Sequence, residues 1–330
     1  MKDLQYIVNE IKAEVEKPLQ RSGIYYRIFA RQKSDASIKK KMAEKVAVYS
    51  TDGKKMQDLI GLRVIVYFRE DVELLHDYYK KYFPGYLETS DTNEDIARAE
   101  SQQSELGALR DKVFMPTRLN LVIRMDERCS RNLIDGFFEE DIDTNLIDNT
   151  YELQLRSVLS EGWHEVEHDL RYKTQNDEWW ENCKTESRML NGIYATLETS
   201  ERAMEQIFSS IAYKNYKSRD WSAMIRNHFK IRINGEMSDG LNHMFNSNVD
   251  LGKAIFRFQR DNFISKLLTL KTVYPLTIDN VVYMINRMSN SIDSKTKKEI
   301  IDMEPIPIKT FLDNFYEPLK NDRTKESCAI

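Results

Sequence analysis

The chain reads as a sheet-and-helix domain of the α/β or α+β class, followed by a domain made only of helices. Three observations carry that expectation. Glycine and proline are scarce, 11 and 7 of 330 residues, while 31% of residues are charged and 41% apolar; that balance describes a folded chain rich in helix. LRVIVYF at 62–68, LNLVIRM at 119–125 and TYELQLR at 150–156 are dense in β-branched and aromatic residues or alternate cleanly, and helical or irregular stretches separate them. From 184 onward only helical spacing recurs, as in Leu190, Ile193 and Leu197, then Ile255, Phe258, Phe263, Leu267 and Leu268. At about 150 residues per domain the length suggests two domains, placed here at 1–175 and 176–330.

The elements follow in order. Leu4, Ile7, Val8, Ile11 and Val15 have helical spacing; Pro18 interrupts, and the aromatic-rich run from Ile24 to Phe29 follows, so residues 4–30 predict one or two helices. Ser37 is placed to cap a helix reaching about Val48, with Ile38, Met42 and Val46 repeating every fourth residue and Lys39, Lys40 and Lys41 on or beside its wet side. Asp52-Gly53 marks a turn before the first strand. A helix from Val72 to Tyr82 closes at Pro84-Gly85, and the acidic stretch 88–111 reads as a long loop or weak helix. Pro305 and Pro307 mark the last turn region.

Several classes of function fall away. No purely apolar stretch is longer than Val64 to Phe68, far short of the roughly 20 residues that cross a bilayer, and MKDLQYIVNEIKAE lacks a signal-peptide core. Cys129, Cys183 and Cys328 are too few and scattered for a disulfide framework, and Cys328 stands third from the end where a prenylation box needs it fourth. A reducing cytoplasm, without membrane attachment, is expected. Net charge is −4, but residues 1–56 carry 13 basic against 7 acidic side chains, and residues 57–150 carry 11 against 20. The basic stretch is either an ordinary solvated face or a local anion site.

The residues that bear on chemistry cluster in the first half. In strand 150–156, Tyr151, Leu153 and Leu155 point one way and Glu152, Gln154 and Arg156 the other, so one face is apolar and the other carries a carboxylate, an amide and a guanidinium. Asp58 stands just before strand 62–68. Asp58 and Glu152, from neighbouring strands, would form the hard-oxygen pair that Mg²⁺ prefers when it also holds substrate phosphates. Arg31, Lys33, Ser37 and Lys41 form a cationic counterpart: Ser37 and Lys41 share a helical face, and Arg31 and Lys33 precede that helix's N-terminus, where amides favour anions. A rival pattern, His164-Glu165-Val166-Glu167-His168, fits H-E-x-x-H and would set two imidazoles for zinc; the stripe Val158, Leu159, Trp163, Val166 and Leu170 instead marks a helix packed on the sheet. Trp179, Trp180, Tyr213, Tyr216 and Trp221, interleaved with Lys214, Lys217 and Arg219, read either as an RNA-stacking surface or as an amphipathic helix.

The blocks RQKSDASIKKK, MQDLIGLRVIVYFREDVELL and YELQLRSVLSEGWHEVEHDLRYK, in that order, resemble the RelA/SpoT-type alarmone (ppGpp) synthetase domain, particularly the small single-domain synthetases, over roughly residues 25–175. The resemblance implies a nucleotidyltransferase-like α+β fold, a mixed sheet flanked by helices. It implies a GTP pyrophosphokinase-like transferase that moves the β,γ-pyrophosphate of ATP to the 3′-hydroxyl of GTP or GDP, with Mg²⁺. By matching position, Arg31 and Arg63 would stack on adenine and Lys33, Ser37 and Lys41 would hold phosphates. Asp58 and Glu152 would bind the metal as the catalytic pair, and Gln154 would reach the acceptor. Where the family presents a glycine-tyrosine leading into Y-x-S-x-H, this chain has KVFMPTRLNLV: Phe114 stands in for the stacking tyrosine, and Pro116 and Arg118 where the serine and histidine belong. The donor half therefore matches and the acceptor half differs. That difference raises a second acceptor, the 3′ CCA end of tRNA, and a further alternative, a nucleotide-sensing module without catalysis. The role of the helical half, oligomeric state included, is left open by the sequence.

Overall fold

The structure, a computed structural model, describes residues 5–44, 55–57, 59–87, 119–136, 144–167 and 183–316. The chain divides into two compact units, Met1–Gln20 with Ile24–Glu205, and Arg21–Gly23 with Gln206–Ile330. The division falls inside one long helix, so no linker composition marks it. Among the described residues no helix is long and apolar enough to cross a membrane.

The first unit holds a four-stranded mixed sheet in the order β1-β2-β4-β3, where β1 is Tyr26–Gln32, β2 Ile60–Val66, β3 Leu119–Arg124 and β4 Thr150–Ser157. β1 pairs antiparallel with β2, β2 parallel with β4, and β4 antiparallel with β3. Helices flank it: α1 (Gln5–Ser22), α2 (Asp35–Glu44), α3 (Arg69–Tyr82), α4 (Glu127–Gly136), α5 (Val158–Glu167) and the first part of α6 (Lys184–Ser218). The mixed sheet with flanking helices expected from the sequence is what forms.

Its core lies on one face of the sheet. Leu62, Val64, Leu121, Ile123, Leu153 and Leu155 are fully buried with Val8, Val15 and Leu19 of α1 and Leu75 and Tyr79 of α3. Each such aliphatic side chain contributes about 1.5–3 kcal/mol. The Tyr79 hydroxyl donates to the Val15 carbonyl at 2.7 Å, so the polar tip that α3 carries into this core is satisfied. Gly85 closes the turn after α3 at φ 84°, and a Cβ there would lie 2.5 Å from the Arg124 carbonyl oxygen. Both the conformation and the packing demand glycine at that position.

Four expectations are corrected. α1 runs through Pro18; burial of Val15 and Leu19 on either side outweighs the lost amide donor. Residues 26–32 form a strand and not a second helix. Arg27, Phe29 and Arg31 are exposed while Tyr26, Ile28, Ala30 and Gln32 are partly covered, a period of two. α2 begins at Asp35, capped by Ser34, whose hydroxyl oxygen accepts from the Ser37 amide at 3.4 Å and whose carbonyl accepts from Ile38 at 3.0 Å. Ser37 thus sits in the first turn. On α5 the buried residues are Trp163 and His164, whereas Val158 and Val166 are 40% and 49% exposed. Residues 45–54, Asp58, the acidic stretch 88–111, Leu170 and Trp179-Trp180 lie outside the described residues.

The second unit is helical, as expected: the remainder of α6, then α7 (Trp221–Phe229), α8 (Asp239–Ser247), α9 (Val249–Phe256), α10 (Arg260–Thr269), α11 (Ile278–Met288), α12 (Ser294–Met303) and α13 (Ile306–Tyr316). An isolated bridge, Asn234 to Thr277, is its sheet-like pairing among the described residues. Side-chain caps start four of these helices: Asp220 accepts from Ala223, Asn248 from Leu251, Thr277 from Asn280, and Asp293 from Lys295 and Thr296. Phe229, Phe245, Phe263, Ile285 and Leu312 are fully buried among them. Trp221 is 2% exposed and the Tyr216 ring stacks on Phe256 with centroids 5.2 Å apart. Lys217 lies over the Tyr213 ring at 5.4 Å. Of the described rings in the basic-aromatic run, Trp221 packs inward, Tyr216 is half-buried and Tyr213 is 48% exposed beneath the Lys217 ammonium.

Candidate functional site

The opposite face of the sheet is polar, and register alone assembles it. β1 to β2 pairs Arg31 with Gly61 and Phe29 with Arg63; β2 to β4 pairs Gly61 with Glu152, Arg63 with Gln154, and Ile65 with Arg156; β4 to β3 pairs Glu152 with Val122 and Gln154 with Asn120. One transverse row thus reads Arg31, Gly61, Glu152, Val122, and the next reads Phe29, Arg63, Gln154, Asn120. With strands about 4.8 Å apart, Arg31 and Glu152 face each other across a gap of roughly 10 Å floored by a residue without a side chain. The strands that follow Asp58 and carry Glu152 are hydrogen-bonded neighbours. Asp58 itself lies outside the described residues, as do Phe114 and Arg118.

The cationic arm leads out of β1. Arg31 is exposed on the sheet edge. The Lys33 amide donates to the Leu59 carbonyl at 2.8 Å, carrying the β1–β2 pairing one step further. α2 then starts, its first-turn amides adding to the positive field at that end. The Ser37 hydroxyl lies 2.9 Å from that of Ser34, and Lys41 follows Ser37 by four residues in the same helix.

Arg63 is heavily engaged. Its guanidinium pairs with Glu161 and Glu165 of α5, and its Nε donates to Gln154 Oε1 at 3.2 Å. Arg156 donates to the same Gln154 oxygen at 3.0 Å and to Glu161 at 3.0 Å. Burial works against the charge on Arg63, but the hydrogen bonds it donates to Glu161 and Glu165 outweigh it and hold its pKa above the ordinary arginine value. Two guanidiniums, two carboxylates and one amide thus tie α5 to β2 and β4. Glu161 and Glu165 were not singled out as a pair from the sequence. Their i, i+4 spacing on a helix directly after Arg156 was the available signal. Ser157 caps α5, accepting from the Ser160 amide at 3.2 Å, and its hydroxyl is also hydrogen-bonded to Glu201 of α6.

The chemistry open to this face is the binding of a polyanion. Glu152 is half-buried on it and offers hard oxygen. Among the described residues there is no group of three His, Cys, Asp or Glu side chains that could hold a metal. Magnesium held by one or two carboxylates plus substrate phosphates needs no such group, so Glu152 fits that role. The H-E-x-x-H segment is placed otherwise. Glu165 is paired with Arg63, and His164, 3% exposed, meets the Trp163 ring edge-on at 5.5 Å; His168 lies outside the described residues. Burial, Asp126 and Glu10 push the Cys129 thiol up to about 12, which disfavours its thiolate form.

Residues 30–113 match the family described as a region found in RelA / SpoT proteins, and the resemblance carried by the sequence blocks is borne out over that stretch. No curated protein matches the chain. Among solved structures, a GTP pyrophosphokinase family protein from Streptococcus pneumoniae is similar at 20% identity and a TM-score of 0.39, over 62% of this chain and 86% of that one. Small alarmone synthetase 1 from Bacillus subtilis bound to its product pppGpp is similar at 17% identity and a TM-score of 0.41, over 64% of this chain and 95% of that one. Small alarmone synthetase 2 from the same organism follows at 16% identity and 0.39, over 62% and 98%.

Proposed function

We propose that this chain, with its RelA/SpoT region, is an ATP-dependent pyrophosphokinase that transfers the β,γ-diphosphate of ATP to the 3′-hydroxyl of GTP or GDP, releasing AMP. The single observation that carries the reading is the row Arg31, Gly61, Glu152 on the polar face of the sheet, which sets cation and carboxylate on either side of an open floor. The acceptor 3′-oxygen attacks the β-phosphorus, the bond from that phosphorus to the oxygen bridging it to the α-phosphorus breaks, and AMP leaves with that oxygen. Arg31 and Arg63 stack on the adenine, Lys33, Ser37 and Lys41 take the phosphates, and positioning and charge neutralisation supply most of the rate. Glu152 orients the 3′-hydroxyl and receives its proton. A magnesium ion held by Glu152 and Asp58 would supply charge neutralisation at the phosphates. Gln154 addresses the acceptor. Nucleotide substrates fit a cytoplasmic setting.

The test is incubation of the purified chain with Mg²⁺, γ-³²P-labelled ATP and GTP or GDP. Label is expected in a 3′-diphosphorylated guanosine nucleotide with stoichiometric AMP. Glu152→Gln should lower kcat by about 10²–10³-fold with Tm unchanged; equal turnover by the variant would remove Glu152 from the site. A second reading rests on KVFMPTRLNLV in place of the family's acceptor segment: the acceptor is then the 3′ end of tRNA, and label appears in RNA and not in free nucleotide.

A further inference from the structure

Gly61 is the second residue of the inner strand β2, paired on both sides and followed outward by the Lys33 to Leu59 backbone bond, a position where glycine weakens a sheet and β-branched residues are favoured. A fold has three ordinary reasons to keep glycine in a strand, and none applies here. The backbone does not adopt the positive φ seen at Gly23, Gly85 and Gly235. There is no bulge, because pairing with β1 and with β4 runs unbroken through Gly61 on both sides. There is no crowding, since among the described residues nothing lies within 4 Å of where its Cβ would stand. Gly85 is the internal contrast, with both a positive φ and a backbone oxygen 2.5 Å from the added carbon. With no neighbour among the described residues to account for it, close approach by a bound molecule is the role left for this glycine.

The neighbours say what that something is. Gly61 lies between Arg31 and Glu152 in the transverse row, and two residues on, Arg63 is drawn toward β4 and α5 by Gln154, Glu161 and Glu165. The strip above Gly61 thus has a cation on one side and a carboxylate on the other, beside the N-terminal end of α2. We infer that Gly61 is a binding residue, the floor on which the donor nucleoside triphosphate rests, and that a side chain there weakens nucleotide binding in proportion to its size without disturbing the sheet. This rests on the proposed reaction and deepens it.

The experiment compares wild type, Gly61→Ala and Gly61→Val as full chains, by Tm and by calorimetric titration with α,β-methylene-ATP and Mg²⁺. Both variants should keep a Tm equal to or above that of wild type. Affinity for the analogue should fall severalfold in Gly61→Ala and at least tenfold in Gly61→Val. Wild-type affinity in a stable Gly61→Val overturns the inference and leaves the pyrophosphokinase reading standing. A marked fall in Tm in both variants also overturns it, by revealing a packing reason for glycine. If wild type binds no analogue, the donor reading fails and the inference with it.

Discussion

Each unit of the molecule contains a guanidinium held by two carboxylates, and the two arrangements differ in one respect. In the helical unit Arg287 takes Glu304 through two bonds, at 3.0 and 2.7 Å, and Asp313 at 2.8 Å. The Arg287 and Glu304 side chains are 9% and 0% exposed. In the sheet unit Arg63 takes Glu161 and Glu165, but its side chain is 24% exposed and Glu165 54%. In the first cluster the Arg287–Glu304 pair is buried, with Asp313 42% exposed at its margin, and the cluster joins three helical segments; in the second the guanidinium itself is partly exposed. Similar chemistry is therefore placed in two settings, with solvent access to the guanidinium as the distinguishing variable; on the proposed function the first serves stability and the second the nucleotide site.

If that contrast is right, substitutions at the two clusters should separate cleanly into stability and function. The largest effect is expected at Arg287→Met. It strands a buried Glu304 carboxylate and should cost about 3–5 kcal/mol, read as a lower denaturation midpoint; a loss under about 1 kcal/mol would place the pair among ordinary surface bridges. Glu161→Gln comes next. It removes the charge shared by Arg63 and Arg156, and it should raise the KM for ATP by roughly tenfold, about 1.4 kcal/mol, with Tm nearly unchanged. A large Tm loss with unaltered KM would reverse the contrast.

The smallest effect, and the sharpest in pH, concerns Glu201. It is 5% exposed; burial raises its pKa, and the Ser157 hydrogen bond and Arg69 only partly oppose that. A carboxyl raised in the folded state binds its proton more tightly there than in the unfolded chain, so its contribution to stability falls as pH rises from the unfolded value through the folded one. Glu198, on the same helix, is lowered first by its hydrogen bond to Arg69, and its contribution runs the other way, lost as pH falls. Glu201→Gln keeps an acceptor for Ser157 and removes the charge. It should raise Tm by about 2–4 °C above neutrality, the equivalent of about 1 kcal/mol, and by less near pH 4.5. An increase that does not vary with pH would show that ionisation of Glu201 is not its cause.

How far these features were legible in the sequence depends on how local they are. β2, β3 and β4 were readable because their buried faces impose dense apolar runs or strict alternation, as in Leu62, Val64 and Val66, all 1% exposed or less. β1 was not, because an edge strand with Arg27, Phe29 and Arg31 in solvent leaves only a partly covered inner face and few strong apolar signals. The helix through Pro18 was missed because proline's local penalty is visible in sequence and the burial that overrides it is not. Glu152, Gln154 and Arg156 were found together because alternation in one strand reveals a shared face. The partnership of Arg63 with Glu161 joins residues 98 apart in the chain; only the parallel pairing of β2 with β4 brings them within reach. The open floor at Gly61 is of the same kind, since a missing side chain has meaning only against its cross-strand neighbours.

The double acceptance at Gln154 restricts its own chemistry. A carboxamide is ordinarily ambivalent, able to turn over and present either end to a guest. Here two donors that cannot accept hold its oxygen, so the NH₂ is the end left to face outward. Any molecule it greets must bring a lone pair, and a glutamate in its place would turn that welcome into repulsion toward an anion.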